Sequence, residues 1–283
     1  MCISLIHQRY INFYTDFAFK KLFGTEVNKE LLISFLNSIF EGREVIKDLH
    51  YLNSERLGTL EKDRRAVFDV YCENEKGERF IVEMQKGEQQ FFKERSLFYT
   101  TFPIREQAER GGDWTYELKA VYTICILNFT FDHDKTDREH YKTEVQLMDV
   151  KTHKVFYDKL TLVYLEMPKF DKEPHELHSL FDKWMYVIKN LAKLEARPVE
   201  LQEAIFTRFF ESAEIAKLDK VELSQYEESL KNFRDWNSVV RTAELKGEHK
   251  KAIEVAKKLK FLGISIEIII ESSGLSRDEI DNL

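Results

Sequence analysis

The chain has 283 residues, 43% of them hydrophobic, which is enough to bury one large core or two modest ones and excludes a disordered protein. Its 43 basic and 50 acidic residues give a formal net charge of −7. This net charge excludes binding to nucleic acid through an overall positive surface, so an anionic partner must be bound by a local region of the surface. The longest apolar run, residues 120–127, is too short to span a bilayer, and we predict a cytoplasmic protein without a membrane partner.

Two helices are predicted near the start of the chain. Thr15 or Asp16 can cap the first, whose apolar residues follow helical spacing as far as Gly24. The second helix has Asn28 as its cap and an apolar stripe that stops at Gly42. Both helices are therefore expected to bury one face.

A hairpin follows a strand that we predict over residues 45–52. Residues 66–72 and 79–85 are rich in β-branched and aromatic side chains, and each segment is predicted to be a strand. The polar connection between them contains Gly77, which can adopt the positive φ of a hairpin turn.

Acidic side chains interrupt this apolar hairpin. Because side chains alternate between the two faces of a strand, Glu83 and Gln85 share one face, and a suitable register would bring Asp69 beside them. Buried acids are costly unless they are neutralised, and a divalent cation such as Mg²⁺ can do this. The alternative is that Asp69 and Glu83 face solvent or pair with nearby arginines. Those arginines are Arg64, Arg65 and Arg79.

The next segments complete a mixed α/β region. Residues 89–110 are predicted to be helical up to Gly111, with Pro103 expected to kink the helix or divide it into two. Residues 118–129 form the most continuously apolar segment and are predicted to be a central strand. Further strands near an edge of the sheet are predicted over residues 143–150, 154–157 and 160–167. The cysteines in this chain, Cys2, Cys72 and Cys125, lack metal-ligand spacing and are predicted to be reduced and buried.

The composition changes near residue 170, after which the pattern is helical. Helices are predicted over residues 175–194, 199–217, 221–245, 248–262, 265–272 and 276–283. Ser276 followed by Glu279 indicates a capping box at the start of the last helix. We therefore predict a mixed domain over residues 1–170, a helical module over 171–262 and a C-terminal helical hairpin over 263–283.

The order of these elements resembles the PD-(D/E)xK nuclease superfamily, and more specifically the Rpn family of recombination-promoting nucleases, also known as PD-(D/E)xK family transposases. The resemblance covers about the first 130 residues well and the tail weakly. It is carried by segments 16–23, 68–70, 81–85, 95–99, the residue Gln107 ahead of Gly111, and the turn 274–276. It implies an α/β (α+β) fold like that of restriction endonucleases, with a mixed sheet flanked by helices and an all-helical C-terminal region.

The resemblance also implies a catalytic site for DNA cleavage. Asp69 and Glu83 would be the ligands of Mg²⁺, with Mn²⁺ as an alternative, and Gln85 would occupy the place of the superfamily's lysine. Lys20 is our candidate for the missing positive charge, and Asp16 for an outer-shell acid. An exposed ion pair between Asp16 and Lys20, one helical turn apart, is the alternative reading of those two residues.

Three further residues are candidates for contact with DNA. Arg95 and Tyr99 lie one helical turn apart and could contact a phosphate, whereas the alternative is that Tyr99 packs on the sheet and Arg95 faces the hairpin acids. Gln107 is the third candidate, or else an ordinary surface amide. We predict a metal-dependent DNA endonuclease that acts as a homodimer. The rival prediction is a non-catalytic protein that binds DNA or another protein on a degenerate nuclease scaffold.

Overall fold

The computed structural model describes residues 8–43, 45–56, 66–108, 115–131 and 139–283. Some residues named above lie outside this part of the chain: Cys2, Arg64, Arg65 and Gly111. The chain forms two compact units, Met1–Ser229 and Leu230–Leu283. This division into compact units falls at a different residue from the domain boundaries predicted after residues 170 and 262. Because a compact unit need not be a folding domain, those boundaries stay predictions.

The two predicted N-terminal helices are present as α1 (Asp16–Phe23) and α2 (Lys29–Phe40). The hydroxyl of Thr15 caps α1 by accepting a hydrogen bond from the Ala18 N–H at 3.3 Å. Asn28 precedes α2, but its side chain does not cap that helix. Its Nδ2 instead donates to the carbonyl of Lys21 at 2.8 Å, which ties the two helices together.

A mixed sheet of six strands forms the centre of the first unit. Its strands stand in the order β1 (Leu49–Tyr51), β4 (Val70–Asn74), β5 (Arg79–Gln85), β6 (Val121–Leu127), β8 (Val155–Glu166) and β7 (Lys142–Met148). The three strands β5, β6 and β8 are parallel, and the other pairings are antiparallel. A separate two-stranded ladder joins β2 (Glu55–Arg56) to β3 (Ala66–Val67). Every residue of β6 is buried, which confirms it as a central strand.

The strands differ from the predictions in three places. The strand predicted over residues 66–72 is divided, because Phe68 and Asp69 leave the ladder between β3 and β4. The strand predicted over 45–52 is reduced to β1. The two strands predicted over 154–157 and 160–167 are one strand, β8, whose pairing with β7 shifts register near Gln146. The turn between β4 and β5 is as predicted, since Gly77 has a φ of +79°.

One long helix, α3 (Phe92–Glu106), covers one face of the sheet. It continues through Pro103, where we predicted a kink or a division. Phe102 and Pro103 are buried, so packing against the sheet compensates for the backbone hydrogen bond that the proline removes. Aromatic and aliphatic side chains fill the space below α3: Phe68, Tyr71, Ile81, Phe92, Leu127 and Tyr164.

Helices of the chain's beginning and middle cover the opposite face. Phe40 at the end of α2 packs edge-on against Tyr122 of β6, whose ring stacks on Phe80 of β5 at 4.9 Å. The helices α4 (Leu180–Asn190) and α5 (Ala204–Ala213) complete this layer around Trp184, which is fully buried against Phe23.

The remaining helices are α6 (Lys220–Phe261), α7 (Ile266–Ser273) and α8 (Arg277–Asp281). The two helices predicted over 221–245 and 248–262 are a single helix, because Gly247 costs only about 1 kcal/mol and does not end it. Within the second unit a small core contains Ala256, Ile269 and Ile280. The predicted capping box is confirmed, with Ser276 accepting from the Glu279 N–H at 3.3 Å.

The architecture confirms the predicted fold class, a mixed sheet flanked by helices and followed by helices alone. Cys72 and Cys125 are buried free thiols, as predicted. In the part of the chain that the structure describes, no helix has the length and apolar character needed to span a membrane.

Candidate active site

Asp69 and Glu83 lie side by side on neighbouring strands of the sheet. The antiparallel ladder between β4 and β5 reaches the pair Val70 and Val82 and stops there. Beyond that pair, the side chain of Asp69 replaces the backbone acceptor of the ladder, because its Oδ2 accepts a hydrogen bond from the Met84 N–H at 2.8 Å. In return, the N–H of Asp69 donates to Oε1 of Glu83 at 3.2 Å. The break in the predicted strand therefore places the two carboxylates together.

This pair of carboxylates is buried. The side chain of Glu83 is almost closed to solvent, and Glu83 as a whole is 3% exposed. Burial, followed by the negative charge of Asp69, raises the pKa of Glu83 to about 8. Burial and then the charge of Asp16 raise the pKa of Asp69, against the opposing effects of the Met84 N–H, Lys20 and Lys86. Two ionised carboxylates would therefore carry more negative charge than the surroundings stabilise, so the metal-free site favours a protonated acid.

Gln85 and Arg95 approach the same oxygen of Glu83. Nε2 of Gln85 donates to Oε2 at 3.2 Å, whereas Nη2 of Arg95 lies 3.8 Å from that atom, beyond hydrogen-bond distance. The Arg95 guanidinium lies 5.3 Å from the ring centroid of Tyr99, which packs edge-on against Phe68. Its buried Nε has no hydrogen-bond partner among the described residues. Arg95 thus faces the hairpin acids in the metal-free protein, and the predicted contact of Arg95 and Tyr99 with a phosphate stays a prediction.

Asp16 and Lys20 lie on α1 close to this pair, since the charges of both act on Asp69. The alternative ion pair between them is not formed in the described structure. Asp16 instead forms an ion pair with Lys86, whose Nζ lies 3.0 Å from Oδ1 of Asp16, and Lys20 is exposed. Side chains alternate between the faces of a strand, and strict alternation beyond Gln85 would point Lys86 away from the site. Because β5 ends at Gln85, the alternation does not extend to Lys86, and its ammonium reaches the same edge.

The oxygen atoms of this site suit a hard divalent cation. Among the described residues, no group of three or more His, Cys, Asp or Glu side chains is arranged to hold a metal ion. Mg²⁺ does not require one, because it keeps several waters and is commonly bound by one or two carboxylates together with substrate phosphate oxygens. Asp69 and Glu83 supply two carboxylates whose raised pKa values reflect charge that a cation would stabilise.

Comparison with known proteins identifies the family. The family described as PD-(D/E)XK nuclease family transposase matches residues 13–243, which is most of the chain. The chain belongs to this family. Membership of the PD-(D/E)XK nuclease family transposases supports a nuclease-like function, agrees with the sheet and its flanking helices, and does not favour the non-catalytic alternative. No curated protein and no solved structure matches the chain.

Within this PD-(D/E)XK nuclease family fold, Gln107 is placed apart from the other candidates. It is twelve residues beyond Arg95, or about 18 Å along the helix direction. Its side-chain amide bonds both backbone groups of Lys119, accepting from the N–H at 2.6 Å and donating to the carbonyl at 3.2 Å. Gln107 thereby attaches the end of α3 to the approach to β6. Its predicted role in binding DNA stays a prediction.

Proposed function

We propose that the protein is a metal-dependent DNA endonuclease that hydrolyses phosphodiester bonds. The observation that carries the proposal is the buried pair of Asp69 and Glu83, whose charges the surrounding residues neutralise only in part. Structural carboxylates are normally matched by a cation at hydrogen-bond distance, whereas a perturbed pair at the end of a strand is typical of functional sites. The family description includes the word transposase, which supports the proposal that the activity serves recombination or mobile DNA.

In this proposal Asp69 and Glu83 hold Mg²⁺, or Mn²⁺ in its place. A bound divalent cation would supply Lewis acidity toward the scissile phosphate and neutralise charge on the leaving oxygen. The amide of Gln85 keeps Glu83 oriented through its donated hydrogen bond, and its carbonyl oxygen is able to accept from the attacking water. Gln85 is neutral, so the positive charge must come from other residues.

Three cations surround the pair and are candidates for that charge. Lys20 and Lys86 both act electrostatically on Asp69, and Arg95 acts on Glu83. Lys20 remains our candidate for a catalytic role because Lys86 is engaged with Asp16, which in turn serves as an outer-shell acid.

DNA is the proposed substrate and partner. Arg95 and Tyr99 border the carboxylate pair on α3, where a guanidinium and a hydroxyl can contact a phosphate of the bound strand, and Gln107 is included as a further contact. A homodimer would bring two sites to the two strands of a duplex. The buried reduced thiols agree with the cytoplasmic location that we include in the proposal.

The test is nicking of supercoiled plasmid by the purified protein with Mg²⁺, with Mn²⁺ and with chelator. We expect metal-dependent cleavage that falls by roughly 100-fold or more in Asp69→Asn and in Glu83→Gln, since each removes a ligand charge at nearly constant shape. Asp158→Asn and Glu227→Gln change exposed acids elsewhere and should cleave like the parent.

Metal binding gives a second measurement that does not depend on turnover. Mn²⁺ should raise the melting temperature of the parent and of both control variants, but not that of Asp69→Asn or Glu83→Gln. The proposal is wrong if folded parent protein leaves DNA intact with every metal, or if both site variants cleave at the parental rate.

A further inference from the structure

A cavity opens at the beginning of α3, just beyond the ends of β5 and β6. Its volume is about 310 Å³, at the lower end of the range of pockets that hold small ligands. Four aromatic rings form its apolar part: Phe91, Phe92, Phe129 and Phe131. Phe129 packs edge-on against both Phe92 and Phe131, with ring centroids 6.0 Å and 5.7 Å apart. These three rings form one packed aromatic wall of the cavity.

Phe91 differs from the other three rings. It is 65% exposed and has no ring contact among the described residues. It also stands at the N-cap of α3 with a φ of +62°, in the left-handed region. A bulky residue rarely adopts this conformation, and Ser, Thr, Asp or Asn would cap the helix better. Since neither packing nor capping accounts for a phenylalanine at this position, its ring indicates contact with a ligand.

The cavity adjoins the pair of carboxylates. Nη1 of Arg95 donates to Oε1 of Gln89, which lines the cavity, and Nη2 of the same guanidinium lies 3.8 Å from Oε2 of Glu83. The ends of β5 and β6 are tied together here, because the Asn128 N–H donates to the carbonyl of Gln85 at 2.9 Å. One guanidinium therefore separates the cavity from the proposed place of the scissile phosphate.

The polar lining of the cavity favours a neutral group over a phosphate. Glu88 and Glu94 both line it and are exposed. Among the described residues of the lining, Lys93 is the one cation, and its ammonium lies 4.4 Å from the ring centroid of Phe131. The two carboxylates would repel an anionic group. A nucleobase is neutral, stacks on aromatic rings and carries amines that donate to carboxylates and amide carbonyls.

We propose that this cavity binds an unpaired nucleobase of the DNA strand, with Phe91 as its stacking partner. The inference rests on the proposed function for the position of the strand, whose phosphate lies at Asp69 and Glu83 while a base of the same strand turns into the cavity. A base that stays paired and stacked in a duplex cannot enter it. The substrate is therefore DNA that is single-stranded or has a displaced nucleotide.

The first experiment measures dissociation constants by fluorescence anisotropy, with chelator present so that no strand is cut. The two probes are a single-stranded oligonucleotide and a strand of the same length with abasic sugars. Both carry the same phosphates, so the ratio of their dissociation constants reports the bases. We expect the parent to bind the strand with bases at least roughly tenfold more tightly.

Variants of Phe91 assign this preference to its ring. Phe91→Asn removes the ring and should reduce the preference by roughly fivefold or more, whereas Phe91→Trp keeps an aromatic surface and should keep it. Asn accepts a positive φ and caps helices, so Phe91→Asn should melt at or above the parental temperature. Phe156→Asn is the matched control, because Phe156 is 84% exposed on β8 and does not line the cavity. The control should bind both probes like the parent.

The second experiment compares a fully paired duplex with a duplex that carries one unpaired adenine. The parent should bind the second duplex roughly tenfold more tightly, since no base pair is broken when the unpaired base enters the cavity. Phe91→Asn should bind the two duplexes nearly equally, because the cavity has then lost its stacking partner.

Three outcomes overturn the proposal. They are equal binding of the two single-stranded probes by the parent, an unchanged preference in Phe91→Asn, and melting of Phe91→Asn well below the parent, which would give the ring a packing role. Glu83→Gln should keep the base preference although it no longer cleaves. A parent that cleaves without a base preference contradicts only this inference, and a parent with the preference that leaves DNA intact contradicts only the nuclease proposal.

Discussion

Two buried glutamates lie in parallel strands of one sheet, and their surroundings differ. Glu166 ends β8, level with Gln85 of β5 across the intervening strand. Its carboxylate is fully buried, lies 3.0 Å from Nζ of Lys169 and accepts from the Phe131 N–H at 2.8 Å. The nearest guanidinium nitrogen to Glu83 is 3.8 Å away, and burial raises the pKa of Glu83 to about 8.

The difference separates a structural acid from a functional one. Glu166 has a cation and a backbone donor within hydrogen-bond distance, so it leaves no charge for a ligand. Glu83 has an amide donor, a backbone donor and a distant guanidinium, with a second carboxylate beside it. A buried acid without a matched cation is costly in the free protein and able to bind a cation from solution.

The largest expected effect on stability comes from breaking the ion pair between Glu166 and Lys169. Lys169→Met leaves Glu166 buried without its cation, and we expect the free energy of unfolding to fall by about 3–5 kcal/mol. Urea denaturation followed by circular dichroism measures this. The double variant Glu166→Gln with Lys169→Met removes both charges and should lie much closer to the parent. An equal loss in the single and double variants would mean that packing, not charge, is the cause.

Replacing Glu83 should raise the free energy of unfolding, whereas Lys169→Met should lower it. Its pKa is raised from the usual 4.5 to about 8, so the folded state holds this proton more tightly than the unfolded state. The resulting stability is present below pH 4.5 and is lost as the pH rises to about 8. Metal-free Glu83→Gln lacks this loss, and at pH 8 we expect it to be more stable than the parent by about 1 kcal/mol.

Urea denaturation across this pH range, with chelator present, measures the difference. Glu227→Gln, at an exposed position, serves as the control and should follow the parent at every pH. A parent whose stability does not change relative to Glu83→Gln between pH 5 and pH 8 would contradict the prediction. Adding Mn²⁺ should reverse the order of stability, because only the parent can bind it.

The smallest effect is expected from Gln85→Lys, which places the superfamily's lysine beside Glu83. The ammonium should lower the pKa of Glu83, so that the stability of the metal-free protein depends less on pH, by roughly 0.5–1 kcal/mol at pH 8. Gln146→Lys on β7 adds the same charge elsewhere and should leave that pH dependence unchanged. A variant with the parental pH dependence would show that the new ammonium does not reach Glu83.

Local pattern predicted much of the fold. The Thr15 cap and apolar spacing located α1, and apolar spacing located α2. The glycine of the turn between β4 and β5 takes the predicted positive φ. The alternation of Glu83 and Gln85 suggested the convergence with Asp69 before the register was known. These features depend on neighbouring residues, and the sequence shows neighbours directly.

Features that depend on distant packing were not predictable. Pro103 and Gly247 interrupt a helical pattern, yet both helices continue through them. Packing against the sheet compensates for the proline, and the free-energy cost of the glycine in a helix is small. The contact of Lys86 with Asp16 depends on where β5 stops, and the burial of Lys169 with Glu166 depends on elements that close over the end of β8. The separation of Asp16 and Lys86 along the chain gives no sign of a pair, and the three-residue spacing of Glu166 and Lys169 indicates one only in a helix, whereas a strand was predicted up to residue 167.

Hydrogen exchange at the Met84 N–H can report the orientation of the Asp69 carboxylate in the candidate site. On one side of β5 this amide is held by a side chain, because its hydrogen is donated to the Asp69 carboxylate and not to a carbonyl of the neighbouring strand. Amides in a sheet exchange their hydrogens with solvent only when the structure opens. Exchange at this one position therefore follows the orientation of Asp69, and deuterium uptake at Met84 records when that carboxylate turns from the backbone toward another ligand.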